Sequence, residues 1–237
     1  MDSSLGPARL RRAGALLRGV LVAAALLHPI AIGLLIGWRG SRFAAAGVAA
    51  VAAGLGIARW LLLARSRSAR VFTALEHGGA IWIAGLAFLA RSPRLLQSLA
   101  SLACFYVSMR IAASLFEERT FVERWSRRID LDFPDFKAPY CRAITFLWCV
   151  FFAAQSFGLL WAVQRASLTG WMLAAGALFH ASGVALLAAE FALRQWWFRD
   201  YGRGPVSRAF ARLFPATDTA RGRRSLAWRA GHRYRQT

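Results

Sequence analysis

The chain has 237 residues, of which 57% are hydrophobic and 18% charged, and its formal net charge is +20. A soluble domain is usually about 45–50% apolar and about 25% charged. Here the apolar residues fall in long blocks, which excludes a compact soluble enzyme and a secreted disulfide scaffold, and excludes disorder everywhere but the tail.

A membrane-crossing helix needs about 20 mainly apolar residues. In chain order the blocks predict spans at residues 19–37, 43–64, 71–90, 95–116, 140–163 and 168–193. The expected fold is therefore all-α, a polytopic integral membrane helix bundle of about six transmembrane helices with a short amphipathic cytoplasmic helix. Five spans is the nearest alternative, because Glu76 and His77 enter the third block and Arg110 the fourth. The organisation expected is a basic N-terminal segment over 1–18, a membrane domain over 19–193 with a loop at 117–139, and an Arg-rich tail over 194–237. Arg9, Arg11 and Arg12 before the first block resemble the start of a signal peptide. That block is long, is interrupted by Pro29 and lacks a clean cleavage site, so it reads as an uncleaved span.

Basic residues next to spans favour the cytoplasmic side. The N-terminal segment, the 65–70 link, the 117–142 region and the tail together carry 24 basic residues, against five in the alternate links. Without the tail the bias is still 13 against five. Both termini are expected on the cytoplasmic side. The +20 is then a charge facing anionic lipid. A nucleic-acid partner is not expected, since the run Arg221, Gly222, Arg223, Arg224 belongs to no binding module and Trp228 and Tyr234 suit an interfacial or disordered tail equally.

The 117–139 link is the most patterned polar stretch. Thr120 and Glu123 have capping-box spacing. Phe121, Val122, Trp125 and Ile129 recur at one-turn spacing and are expected to share a face, with Arg124, Arg127 and Arg128 mostly off it. That pattern predicts a short helix lying on the membrane surface, or packed against other cytoplasmic segments. Pro134 and Pro139 then limit further helix. Asp130, Asp132 and Asp135 are a poor octahedral Mg²⁺ set on a loop, so neither metal nor cofactor is expected, and pairing with nearby Arg is.

Ionisable residues inside spans are expensive and are site candidates by default. Glu190 and Arg194 share a helix face and are expected to pair. Glu76 as proton acceptor and His77 as shuttle are catalytic candidates, alongside Cys141 and Glu190. Their structural alternative is placement in the headgroup zone. His28, Arg110 and His180 are the candidates for an intramembrane polar site; His180 alone would more commonly bond to Ser or Thr on another helix. Arg110 and Arg59 can snorkel to an interface. Cys104, Cys141 and Cys149 lack a C-x-x-C pair and do not spell a zinc site. Gly47, Gly54 and Gly56 lack the P-loop pattern and read as helix-packing positions.

The runs Phe121-Val122-Glu123-Arg124-Trp125-Ser126-Arg127, Tyr140-Cys141-Arg142-Ala143-Ile144-Thr145 and Trp148-Cys149-Val150-Phe151-Phe152, closing on Ala189-Glu190-Phe191, resemble a family of uncharacterised bacterial inner-membrane proteins. Its members are often encoded beside acyl-carrier proteins, ketosynthases and the genes for aryl-polyene or xanthomonadin-like pigments. The likeness covers about residues 116–197 and, more loosely, the earlier spans. Ala189 stands where members carry Gly, and the Arg-rich tail departs from them. The resemblance implies an accessory protein for the synthesis or export of an acyl or aryl-polyene type lipid or pigment, with membrane lipids and an acyl-carrier protein or pathway enzymes as partners. Acyl-carrier proteins are acidic, so Arg124, Trp125, Arg127, Arg128 and Arg142 are the expected partner- or lipid-binding surface. A small transporter or flippase, an acyltransferase-like enzyme and a scaffold are the alternatives, and an oligomer is compatible with each.

Overall fold

A computed structural model describes residues 29–62, 67–129, 133–201 and 204–233. It is helical throughout these residues. The helices are α1 (Pro29–Arg39), α2 (Ser41–Leu62), α3 (Arg67–Ala90), α4 (Pro93–Ala113), α5 (Phe121–Ile129), α6 (Ala138–Arg165), α7 (Leu168–Phe198), α8 (Pro205–Leu213) and α9 (Ala220–Arg233).

Among the described residues four helices are long and apolar enough to cross a membrane: Ser41–Trp60 in α2, Pro93–Phe116 in α4 with its 3₁₀ extension, Asp135–Arg165 covering α6, and Leu168–Phe198 as α7. These coincide with the second, fourth, fifth and sixth predicted spans, and the chain is a multi-spanning membrane protein. The third predicted span is helical, as α3. Of the first span only α1 is described, an apolar helix too short to cross by itself; residues 19–28, His28 included, lie outside the described residues.

The helices form two compact units. The first comprises residues 1–106 and 153–180, and the second 107–152 and 181–237. In the first unit α2 and α3 make an antiparallel pair. Ala44, Ala45, Ala84 and Ala87 are buried there together, and such small residues let two backbones approach closely where lipid removes any hydrophobic drive between helices. Leu96, Leu159, Val163 and Trp171 complete this core. Within the same unit α4 meets α6 through a reciprocal pair: the Ser101 hydroxyl donates to the Ser156 carbonyl at 2.8 Å, and the Ser156 hydroxyl to the Ser101 carbonyl at 2.9 Å. In the second unit α4 and α6 repeat the device seven residues on, with Ser108 donating to the Cys149 carbonyl at 3.0 Å and the Cys149 thiol facing the Ser108 carbonyl at 3.6 Å. Seven residues is two helical turns, so these small polar groups recur on one stripe of each helix.

Residues Leu173–Leu178 of α7 form a π-helical turn. Such turns loosen the carbonyl ladder, and the His180 ring Nδ1 lies 2.5 Å from the Gly176 carbonyl. The expected Ser or Thr partner on another helix is replaced by this contact inside α7.

Among its described residues the tail is largely helical, as α8 and α9. α8 begins with Pro205 at its first turn, where proline's missing N–H costs nothing. α9 is capped by Thr219, whose hydroxyl accepts from Gly222 N–H at 3.1 Å. A Cβ at Gly222 would meet the Ala216 carbonyl oxygen at 2.1 Å, so only glycine fits that close approach. Arg199, at φ 50°, turns the chain out of α7. This left-handed geometry is strained for a side-chain-bearing residue. It is held by the Arg199 guanidinium donating to the Pro215 carbonyl at 2.6 Å, with Asp218 at 3.5 Å.

Candidate functional site

The second unit carries most of the polar organisation. α5 is a helix, as its spacing predicts, but its caps differ from the capping box expected. The Thr120 hydroxyl has no hydrogen-bond partner, and Glu123 turns away to Arg127. Phe121 N–H instead donates to the Ser114 hydroxyl at 3.0 Å, and Val122 N–H to the Thr145 hydroxyl at 3.3 Å. The free donors of a helix start need acceptors, and here they come from the end of α4 and from α6.

The face expected of α5 is also corrected. Val122, Glu123 and Ser126 are buried, while Phe121, Trp125, Arg128 and Ile129 are exposed. Trp125 is 59% and Ile129 73% exposed, whereas Glu123 is 5% exposed. Val122 therefore leaves the apolar stripe and packs with Phe133, Cys141 and Ile144. The outward arc pairs an apolar stripe with arginine, and the inward arc is mainly polar. The inner side of α5 is thus satisfied by protein and its outer arc is left exposed.

The arginines of this region divide into two kinds. Arg127 donates to Glu123 at 3.0 Å and to Asp135 at 2.6 Å, and its guanidinium lies over the Phe133 ring at 4.9 Å. The hydrogen bond to Asp135, followed by that to Glu123, pushes its pKa up. Arg127 is thus a structural cation and not the free partner-binding group expected. Arg124 pairs with Glu117, and Arg142 donates to the Leu115 carbonyl at 2.9 Å. Arg119 and Arg128 are exposed and make no hydrogen bond or ion pair among the described residues. Glu118, Arg119, Glu123, Arg127, Asp135 and Arg142 line a hollow of about 600 Å³. Asp135 meets the expected Arg partner; Asp130 and Asp132 lie outside the described residues.

Beside α5, the Glu190 carboxylate accepts from Arg194 at 2.6 and 2.9 Å, the pair its i,i+4 spacing predicts. The Tyr140 hydroxyl stands 3.4 Å from the same carboxylate. Cys141 is 1% exposed, which leaves no approach to its thiol. Lys137 pairs with Asp200, which pairs in turn with Arg229 of α9. Ser225 donates to the Phe198 carbonyl at 2.9 Å, Arg221 stacks on Trp197 at 3.7 Å, and Arg224 on Phe136 at 4.8 Å. The tail is thereby tied to the start of α6 and the end of α7. These ties escaped the sequence reading, although Lys137, the chain's one lysine, was a signal. Burial pushes the Tyr201 phenol pKa up, and its hydroxyl donates to the Phe214 carbonyl at 2.5 Å. On α8, Arg208, Arg212, Val206 and Leu213 remain exposed.

In the first unit Glu76 accepts from Arg59 of α2 at 2.7 Å, so Arg59 reaches across to α3 instead of snorkelling. His77 faces α2 beside it. Arg110, in the second unit, is on an exposed face of α4. Among the described residues no three His, Cys, Asp or Glu side chains gather as a metal ligand set. Searched against protein-family models, curated proteins and solved structures, the chain matches none.

Proposed function

We propose that the chain is an accessory protein of the bacterial inner membrane, with both termini cytoplasmic, that serves the synthesis or export of an acyl or aryl-polyene type lipid or pigment by holding an acidic acyl-carrier protein at its basic face. The observation that carries this reading is the outward arc of α5, where Arg128 stands without an ion-pair partner among the described residues beside exposed Trp125, with Arg119 likewise unpaired among them just before the helix. Complementary charge speeds encounter with an acidic partner, and an aromatic beside it supplies contact area. Arg127 and Arg124 are neutralised by carboxylates and contribute fold more than recognition. The resemblance of the 116–197 segment supplies the partner's identity.

The test is binding of acyl-carrier protein to the chain in nanodiscs at low salt. Arg119→Glu with Arg128→Glu is expected to weaken binding by about a hundredfold, as reversing two close charges at a polar interface does, and to flatten its salt dependence. Binding equal to that of the unaltered chain would overturn the proposal, as would no binding by the unaltered chain.

A further inference from the structure

The tail helix α8 stands beside the end of a membrane-length helix. α7 is long and apolar enough to cross a membrane and ends at Phe198. Trp196 is exposed near that end, where indoles mark the boundary between lipid and water. α8 starts at Pro205, and its far end is tied back. The Tyr201 hydroxyl donates to the Phe214 carbonyl at 2.5 Å, and the Arg199 guanidinium to the Pro215 carbonyl at 2.6 Å. Arg199 and Tyr201 follow α7 directly, so both ends of α8 are held close to where α7 stops.

The faces of α8 are sorted to match. Ser207 is buried, with Phe210 and Ala211 half-buried on the same side. Val206 and Leu213, two turns apart on one stripe, are 52% and 72% exposed. Arg208 and Arg212, one turn apart, flank that stripe, and their side chains make no hydrogen bond or ion pair among the described residues. The helix contains no acidic residue. In water this outer arc leaves two large apolar side chains wet and sets two like charges one turn apart with nothing to offset them. An anionic lipid surface answers both, since acyl chains take the apolar stripe and phosphate esters the guanidinium groups.

We propose that α8 is an interfacial helix that docks on the anionic phospholipid surface of the membrane that α7 crosses, with Val206 and Leu213 immersed below the headgroups and Arg208 and Arg212 on the phosphates. The docking is independent of acyl-carrier protein binding at α5, because the two helices present different arginines. An acidic protein is the competing occupant of this face, and it would leave Leu213 in water in a lipid-only system.

The experiment places an environment-sensitive fluorophore on Leu213→Cys in the full chain, with Cys104, Cys141 and Cys149 replaced by Ala, in nanodiscs of mixed phosphatidylcholine and phosphatidylglycerol. The label should be quenched by a phosphatidylcholine that carries a spin label near its headgroup, and shielded from iodide in the water. Arg208→Gln with Arg212→Gln should lower the ratio of docked to free label by roughly thirtyfold, the combined worth of two basic residues at an anionic surface. Nanodiscs of phosphatidylcholine alone should lower it similarly. Arg208→Lys with Arg212→Lys keeps the charge and should keep the label docked. A label open to iodide and untouched by the lipid spin label in anionic nanodiscs would overturn the docking and leave the face to an acidic protein. Equal docking in neutral lipid or in the Gln pair, or a Lys pair as undocked as the Gln pair, would overturn the role of the arginines.

Discussion

Replacing Asp200 by Ala is expected to release α9 from the second unit. Asp200 bridges Lys137 and Arg229, and the Lys137 and Asp200 side chains are only 10% and 16% exposed. Removing the carboxylate leaves two cations facing each other with little water to screen them. Breaking a buried pair by deleting one partner costs about 3–5 kcal/mol, and the partial exposure of Arg229 places this case toward the lower end. The exposed Arg124–Glu117 pair is worth about 0–1 kcal/mol by comparison. Hydrogen exchange of the α9 peptide reads the effect directly. The amides of 220–233 should lose most of their protection in the Asp200→Ala chain and keep much of it in a Lys137→Met chain, where a neutral stem replaces the ammonium and Arg229 still answers Asp200. Unchanged protection in Asp200→Ala would mean that Ser225 and the aromatic contacts hold the tail without the ion pairs.

Replacing Ser101 by Leu is the second large effect expected. Ser101 and Ser156 exchange hydroxyl-to-carbonyl hydrogen bonds in both directions and are buried. Ser101→Ala removes one of these bonds and keeps the volume, which inside a membrane costs about 0.6 kcal/mol and at most about 1.7. Ser101→Leu adds overpacking of typically about 1–3 kcal/mol to that loss, because the helices can no longer approach. Unfolding in mixed detergent should therefore rank the chains unaltered, Ser101→Ala, then Ser101→Leu. Equal stability of the Ala and Leu variants would show that the seam has room and that close approach is not what holds α4 to α6.

The spans that length and hydropathy define were legible in the residues. The blocks at 43–64, 95–116, 140–163 and 168–193 became α2, α4, α6 and α7, because an unbroken apolar run in lipid has no other way to satisfy its backbone. The Glu190–Arg194 pair was legible for the same local reason, a four-residue spacing on one helix. What could not be read is what depends on distant residues. Thr120 and Glu123 have the spacing of a capping box, yet Ser114 and Thr145 supply the acceptors. Val122 belongs to the apolar stripe of α5 by periodicity, yet α6 draws it inward with Glu123 and Ser126. Periodicity alone assumes that water lies outside and oil inside. At a lipid interface the aromatic arc can face outward and the polar arc inward. The arginines of the tail read as charge facing anionic lipid, and nothing local shows that Trp197, Phe136 and Asp200 partner Arg221, Arg224 and Arg229. The α4–α6 seam was open to reading, since Ser101 and Ser108, like Cys149 and Ser156, are seven apart, but nothing in one sequence says which stripe meets which.

The central claim is that α4, α6 and α7 cross the membrane in succession, so that α5 and the tail emerge on one side and the 166–167 link on the other. Single-cysteine chains, built with Cys104, Cys141 and Cys149 replaced by Ala, can be labelled with a membrane-impermeant maleimide in intact spheroplasts and again after lysis. Cysteine at Arg128 and at Arg208 should react only after lysis, and cysteine at Arg165 should react in intact spheroplasts. Positions 128 and 208 reacting from opposite sides, or 165 reacting from the same side as both, would contradict the account.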